Sequence, residues 1–565
     1  MNRAGAGLIV FFVCVYLLPL NARQLAIPDE MRYGEISREM IASGDFIVPR
    51  LNGLRYFEKP AGGHILNACA MLVFGETNFA VRFMSVVATA FSAAAIYLLV
   101  ARYQSSKTAL LAAFIFLTCA EVLGIGTFSV LDSMLSGCVT LSICCFYEGI
   151  VATGKRRIGW LVLSGVFAGG AFLVKGFIAF AVPVVVIGPY LAWRREWKAL
   201  LTLTWIPLVV AAIVSLPWSL AIASKEPDFW RYFFWEEHIR RYFYPGGGQH
   251  KFPFWFFVPV FVCGTLPWSL LGPLPLRDLI RRRKAEPFIQ FSVVWTVMPF
   301  LFFSCSSGKL GTYILPCFAP FSILLAIALT DRFDEGHPNR SLQTGASLMV
   351  AIAVLSLITT GVIALLNAFG ILAPLDVDYI SKTIGWGIGL SISLGLSLTA
   401  CRVVGGVPKT VFTGLAAAAI FVTGSFCVPT EISANIGIHR FLESEQHRIE
   451  TDSIVVADIK TIHAVCYVYK RIDVQFFGAH GEVAYGLSYP EAANRSLEVP
   501  ELASLISQRG TRPLAMILQS EPEDTWRHDL PEPGYQAQWN NIWFAFYPPQ
   551  PEGEQLNTGK SQHEK

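Results

Sequence analysis

The sequence predicts an α-helical polytopic membrane protein of about 13 transmembrane helices that ends in a small α/β domain. Three observations carry this expectation. The 565 residues are 53% hydrophobic and only 15% charged, whereas a soluble domain carries about 25% charged residues, and mean hydropathy is +0.49. Apolar runs of the length that a bilayer demands, about 20 residues, recur along the chain. Beyond residue 428 the composition turns polar and short strand-like runs begin.

The apolar runs place helices at 5–20, 78–100, 108–127, 133–151, 158–173, 176–193 and 200–223, then at 254–273, 288–304, 312–330, 344–367, 384–401 and 410–428. Residues 1–428 are thus expected to form a transmembrane domain with two long polar loops, 21–77 and 224–253, and residues 429–565 a soluble domain. The first run ends near Leu20-Asn21-Ala22, which suits both a cleaved signal peptide and a retained helix. Retention is the favoured reading, because cleavage would leave the charged loop as a free terminus. In the tail, Ser453–Ala457 and Leu514–Leu518 read as strands and Pro500–Gln508 as a helix, with proline and Glu501 at its start. The last dozen residues read as disordered.

Lys and Arg set the orientation. Arg3 and alternate short connections, such as Lys155-Arg156-Arg157 and Arg281-Arg282-Arg283-Lys284, hold 18 basic residues. The connections on the opposite side hold only Lys175, Lys309 and Lys382. The richly basic side is read as cytoplasmic, so both long loops and the tail face the other side. A net charge of +3 gives no support to nucleic-acid binding. The 12 cysteines contain no CxxC pair, and 11 of them lie in or beside apolar runs, so neither a disulfide framework nor a structural zinc site is indicated. No internal repeat appears, which weighs against the duplicated halves of secondary transporters.

Between Pro28 and Pro60 the chain carries six carboxylates and five Arg or Lys, costly to hold beside a membrane without partners. Asp29 follows Pro28, as at a helix entry, where it serves either as a cap or as a reactive carboxylate. Glu35, Arg38 and Glu39 stand at i, i+3 and i+4 and read as pairing with one another. Tyr56, Glu58, Lys59 and Pro60 form a polar knuckle in which Lys59 offers a point charge to a phosphate and Tyr56 a donor; a solvated turn is the bland alternative. Asp132 lies in a very short connection and reads equally well as a helix cap. Lys175 and Lys309 oppose the charge bias. Snorkelling explains Lys175, whereas the small residues around Lys309 let an anion approach the backbone within reach of Lys309 and Tyr313. The segment from Phe229 to Tyr242 is rich in rings and bases and suits the membrane interface. Within it, His238 is a candidate metal ligand together with Glu58.

The run Pro28-Asp29-Glu30-x-Arg32-Tyr33-x-Glu35-Ile36, then Ser43-Gly44-Asp45, Tyr56-Phe57-Glu58-Lys59-Pro60, Ser307-Gly308-Lys309-Leu310 and Tyr313-Ile314-Leu315-Pro316, resembles the ArnT family. Its members are 4-amino-4-deoxy-L-arabinose lipid A transferases, within the protein-mannosyltransferase-like GT-C glycosyltransferases. Met31 and Gly34 depart from that pattern at positions away from the expected chemistry. The resemblance implies a GT-C fold in the bacterial inner (cytoplasmic) membrane, with the active site and C-terminal domain on the periplasmic side. It implies an undecaprenyl-phosphate-linked aminosugar as donor, a lipid A phosphate as acceptor, contact with membrane lipids, no nucleic acid, and a monomer. Asp29 and Asp132 match catalytic carboxylates. Arg32, Tyr56, Lys59, Lys175 and Tyr313 match positions that line the cavity and hold the lipid phosphate. Glu58 and His238 match residues around a divalent metal, zinc or similar, in a structural role, while the transfer itself requires no cofactor. Two other readings stay open: a related GT-C transferase with another lipid-linked sugar or a protein acceptor, and a lipid-sugar flippase.

Overall fold

The structure is a computed structural model and describes residues 3–240, 251–336, 340–370, 377–427, 434–479, 481–521 and 523–550. The chain divides into two compact units. One comprises Met1–Arg23, Lys59–Leu66 and Arg82–Pro429, the other Gln24–Glu58, Asn67–Val81 and Thr430–Lys565. Most of the polar stretch at 28–60, read from sequence as a loop of the transmembrane domain, falls in the second unit with the tail.

In the first unit every predicted apolar run is helical, but the count of full spans is lower than 13. Among the described residues ten helices are long and apolar enough to cross a bilayer, or eleven if one bent pair forms a single span. The run at 176–193 gives only Ile178–Trp193, which carries Pro183 and Pro189, and that at 254–273 gives the short apolar stretch Phe254–Gly264. The run at 108–127 breaks into Ser106–Leu117 and Ala120–Gly126, bent by 66°. Hydropathy counts apolar length and is blind to such breaks. At this one the Trp268 indole, almost fully buried, donates to the Ile115 carbonyl at 3.0 Å and to Thr118 Oγ1 at 3.1 Å. Backbone groups freed by the bend are thereby satisfied without water.

Small residues let the helices approach. An added Cβ at Gly165, in Gly154–Lys175, would stand 2.6 Å from the Pro207 carbonyl of Trp205–Lys225, and Ser142 donates to the Ser164 carbonyl across another helix pair at 2.9 Å. Both are ways to associate helices where apolar burial gives no preference. The basic ends find acids: Arg283 meets Glu286 and Asp331, and Lys107 meets Asp334.

The second unit contains the helix Asp29–Ser43, a hairpin of β1 (Arg50–Leu51) and β2 (Leu54–Arg55), and a six-stranded sheet. Asn52 and Gly53 join the hairpin at φ of 55° and 71°, the left-handed pair that a two-residue turn requires. The sheet is formed by β3 (Ile454–Asp458), β4 (Gln475–Phe477), β5 (Ser496–Leu497), β6 (Leu514–Gln519), β7 (Tyr535–Trp539) and β8 (Ile542–Tyr547), in the order β5-β4-β3-β6-β8-β7. The first four in that order run parallel, and β8 and β7 are antiparallel. Ile462–Tyr469 crosses from β3 to β4, and Val499–Ser507 from β5 to β6. The second crossover begins with Pro500 and a capping box of Glu498 and Glu501, as the sequence signals. The predicted disorder at the C-terminus falls outside the described residues.

Leu502, Ile506, Leu514, Met516, Leu518 and Trp543 form the buried core of this sheet domain. Leu502→Ala is expected to cost the domain about 3 kcal/mol through lost contacts and a residual cavity. Hydrogen exchange of the β6 amides in the full-length protein measures it, as a protection loss of roughly two orders of magnitude.

Candidate active site

The predicted site residues fall into two clusters, one in each unit. In the first unit, the helix Gly154–Lys175 ends at Lys175 and Leu131–Val151 begins with Asp132 in its first turn. Lys175 Nζ lies 2.6 Å from Asp132 Oδ1 and 5.2 Å from the centre of the Tyr313 ring. Both charged side chains are largely buried, at 13% and 12% exposure, so neither snorkelling nor simple capping describes them. They form an ion pair shielded from water, where a charge acts far more strongly than at a surface.

Gly62 and Gly63 pack against the two helices that carry this pair. A Cβ at Gly62 would meet the Leu173 carbonyl at 2.6 Å, so only glycine allows this approach. Just upstream in sequence, Lys59 pairs with Glu237 at 3.5 Å. Glu237 lies in the helical segment Arg231–Arg240, beside His238. The His238 ring packs against Phe177 and Phe233, its Nδ1 lies 2.7 Å from the Phe233 carbonyl, and its Nε2 lies 3.1 Å from where a Cβ on Gly176 would stand. Lys309 is buried and donates to the Ser306 carbonyl, with its backbone held in the turn that leads to Tyr313.

In the second unit, Asp29 opens its helix and pairs with Arg32 one turn on. Arg32 is buried, also pairs with Glu482, lies over the Tyr33 ring at 4.8 Å and donates to the Tyr33 hydroxyl at 3.3 Å. Tyr56 is buried in the same neighbourhood. Its phenol is held well above its ordinary range by burial and then by the Glu482 charge, so it stays a donor. Asp29 is the exposed member of the cluster, at 44%, and so is the carboxylate open to a ligand.

Glu482, Glu237 and His463 had no signal in the sequence. Glu482 follows β4 in a tail without readable motifs and meets Arg32 only through tertiary packing. His463, on the first crossover helix, is buried, and its Nδ1 has no hydrogen-bond partner among the described residues. Burial, and then the charge of Arg32, hold its pKa down to about 4.

The metal expectation finds no support in this geometry. Among the described residues no three of His, Cys, Asp and Glu gather in a way that could hold an ion, and His238 Nδ1 already faces a carbonyl. No chemistry is therefore assigned to a metal.

Comparison with known proteins places this polytopic helical chain among the membrane glycosyltransferases. Residues 3–233 match the family model of dolichyl-phosphate-mannose-protein mannosyltransferases, and residues 438–546 that of the arabinosyl transferase ArnT C-terminal domain. Curated relatives narrow the class. The undecaprenyl phosphate-alpha-4-amino-4-deoxy-L-arabinose arabinosyl transferase of Erwinia tasmaniensis is 36% identical over 560 residues, covering 96% of this chain and 98% of the relative. The enzyme of the same name from Shewanella sediminis is 36% identical over 545 residues, covering 95% and 97%. The chain belongs to this family of arabinosyl transferases, as the loop motifs led us to expect. The crystal structure of ArnT from Cupriavidus metallidurans bound to undecaprenyl phosphate shares the fold, with a TM-score of 0.81 at 22% identity over 97% of this chain and 100% of that one. Its apo state matches equally well, at 0.80.

Two outcomes test the clusters. Lys175→Met leaves the buried Asp132 without its cation and is expected to lower the transfer rate about 100-fold or more, read in single-turnover assays. The His463 pKa lies below the ordinary value near 6.5, so the stability that its neutral form contributes is present above pH 6.5 and lost as pH falls through about 4. His463→Phe should flatten that limb in thermal unfolding between pH 7 and 4.

Proposed function

We propose that the protein transfers 4-amino-4-deoxy-L-arabinose from undecaprenyl phosphate to a phosphate of lipid A. The transfer takes place at the periplasmic face of the bacterial inner membrane, with the enzyme acting as a monomer. End-to-end similarity to relatives named for the donor and the sugar carries this reading, and the Lys175–Asp132–Tyr313 cluster supports its chemistry. The basic bias of one set of connections supports the orientation.

The acceptor phosphate is already an oxyanion and needs no strong base to attack. One of its oxygens forms a bond to the anomeric carbon as the bond from that carbon to the donor phosphate oxygen breaks. The electron pair leaves with undecaprenyl phosphate, and direct displacement inverts the anomeric centre. The enzyme's task is to hold two anions in line and to stabilise the leaving phosphate. In the first unit Lys175, Lys309 and Lys59 supply positive charge and Tyr313 a hydroxyl donor; in the second, Arg32 supplies a planar donor and Tyr56 a hydroxyl donor. Asp132 orients Lys175, and Asp29, held by Arg32, orients the acceptor. A cationic sugar on lipid A lowers the negative charge of the cell surface and so weakens attraction of polymyxin and other cationic peptides.

Mass spectrometry of lipid A tests the reading, in cells that make the donor but lack their own transferase. Wild-type protein is expected to add the mass of one aminopentose to a phosphate, and Asp29→Asn to add none. A different added mass would replace the sugar. No added mass, with protein and donor present, would overturn the function.

A further inference from the structure

The helix that begins with Asp29 carries three buried acids that the transfer chemistry does not use, of which Glu30 accepts from the Ala26 N–H at 3.0 Å just before the helix. Glu35 is fully buried and Glu39 is 5% exposed. Glu35 is taken up by Arg38, which donates to both of its oxygens at 2.7 and 2.6 Å. Glu39 does something else. It accepts from the Asn52 backbone N–H at 2.5 Å and from the Gly53 N–H at 2.9 Å. Those are the two left-handed residues that turn β1 into β2, whose N–H groups would otherwise be buried without partners.

The hairpin is pinned on its other side as well. The Asn52 side-chain amide donates to the Val474 carbonyl at 2.8 Å and accepts from the Val474 N–H at 3.1 Å. Arg495 donates to the Asn52 and Val474 carbonyls, each at 2.8 Å. Past β2 the chain runs straight into Tyr56, whose N–H donates to the Pro49 carbonyl at 2.9 Å. Glu39 is thus the side chain on the Asp29–Arg32 helix that grips the hairpin presenting Tyr56.

We propose that Glu39 is a positioning residue for the transfer: by clamping the Asn52-Gly53 turn with its two carboxyl oxygens it fixes Tyr56 relative to Arg32 and Asp29. This rests on the function proposed above. Charge around the two acids bears on the clamp. Arg38 and Glu35 face Glu39 from its own helix, and Lys470, Arg495, Cys466 and Glu76 act on the group from the elements packed against it. One close guanidinium serves two acids, and it is spent on Glu35. Burial, and then the Glu35 charge, push the Glu39 pKa up to about 8. Ionisation above that pH strengthens the two N–H contacts but sets a second negative charge against Glu35 in a site without water, and that repulsion strains the helix carrying Asp29 and Arg32.

The experiment uses full-length protein in lipid nanodiscs, with undecaprenyl-phosphate-linked aminosugar and lipid A, from pH 6 to 9.5. Wild type is expected to lose kcat along an alkaline limb with a midpoint near 8, with KM changing less than threefold. Glu39→Gln keeps a carbonyl acceptor for the turn but has no proton to lose. Its limb should vanish while kcat at pH 7 stays within about fivefold of wild type. Glu39→Ala leaves two N–H groups unpaired, and its kcat should fall tenfold or more at every pH. A Glu39→Gln limb identical to that of wild type would overturn the proposal, as would wild-type kcat in Glu39→Ala. Should wild type transfer nothing, the functional reading fails, and thermal unfolding still reads the pair. The Glu39 pKa lies above its ordinary value near 4.5, so wild-type stability should decline as pH rises from about 4.5 to 8 and Glu39→Gln should not. Equal declines in both would show that Glu39 is not the group that ionises and would overturn the alkaline limb assigned to it.

Discussion

Arg32 is the constraint on which the catalytic loop depends. Its guanidinium is buried, and a buried charge persists only when opposite charge and hydrogen bonds compensate for lost hydration. Asp29 on its own helix and Glu482 in the sheet domain provide that compensation, and the Tyr33 ring covers one face. Removing either acid would leave an uncompensated charge, so helix, sheet domain and Tyr56 neighbourhood must be set in place together. The exposed carboxylate of Asp29 is held in one orientation as a result.

The Lys175–Asp132 pair solves a similar problem in the membrane unit. A lone lysine at the end of an apolar helix would extend toward water. Here it is retained by an acid from the first turn of the preceding helix and by an aromatic face. A phosphate that displaces part of this arrangement would find a cation already desolvated and oriented. That is the condition under which electrostatic stabilisation of a leaving group requires least reorganisation. Glycine at 62 and 176 gives the neighbouring segments room to close around the pair.

The two buried carboxyls at Glu35 and Glu39 show how spacing can mislead. The i, i+3, i+4 pattern reads as surface ion pairing along one helix, and Glu35 with Arg38 does follow it. Glu39 instead reaches across to a turn thirteen residues on, because in a buried setting unpaired backbone N–H groups compete strongly for an acceptor. The same residues on a solvated helix would contribute only a few tenths of a kcal/mol.

By itself the sequence determined the class of fold, the sites of the apolar helices, two strands and one crossover helix of the tail, and the family. Each follows from local quantities: apolar run length, the polar loop motifs, and the Pro500–Glu501 start signal. It also singled out Asp29, Arg32, Tyr56, Asp132, Lys175 and Tyr313, because charged or polar groups beside a membrane need a reason to be there. Tertiary structure alone decided which of these meet. Helix breaks at Thr118 and short segments such as Ile178–Trp193 reduce 13 apolar runs to ten or eleven spans, since hydropathy has no term for a bend. Glu482 and Glu237 acquire partners, Arg32 and Lys59, far away in the chain, through packing that no local pattern encodes. Glu58 and His238, equally suggestive as residue types, have no cluster of ligands around them among the described residues, because coordination needs convergence in space and not residue identity alone.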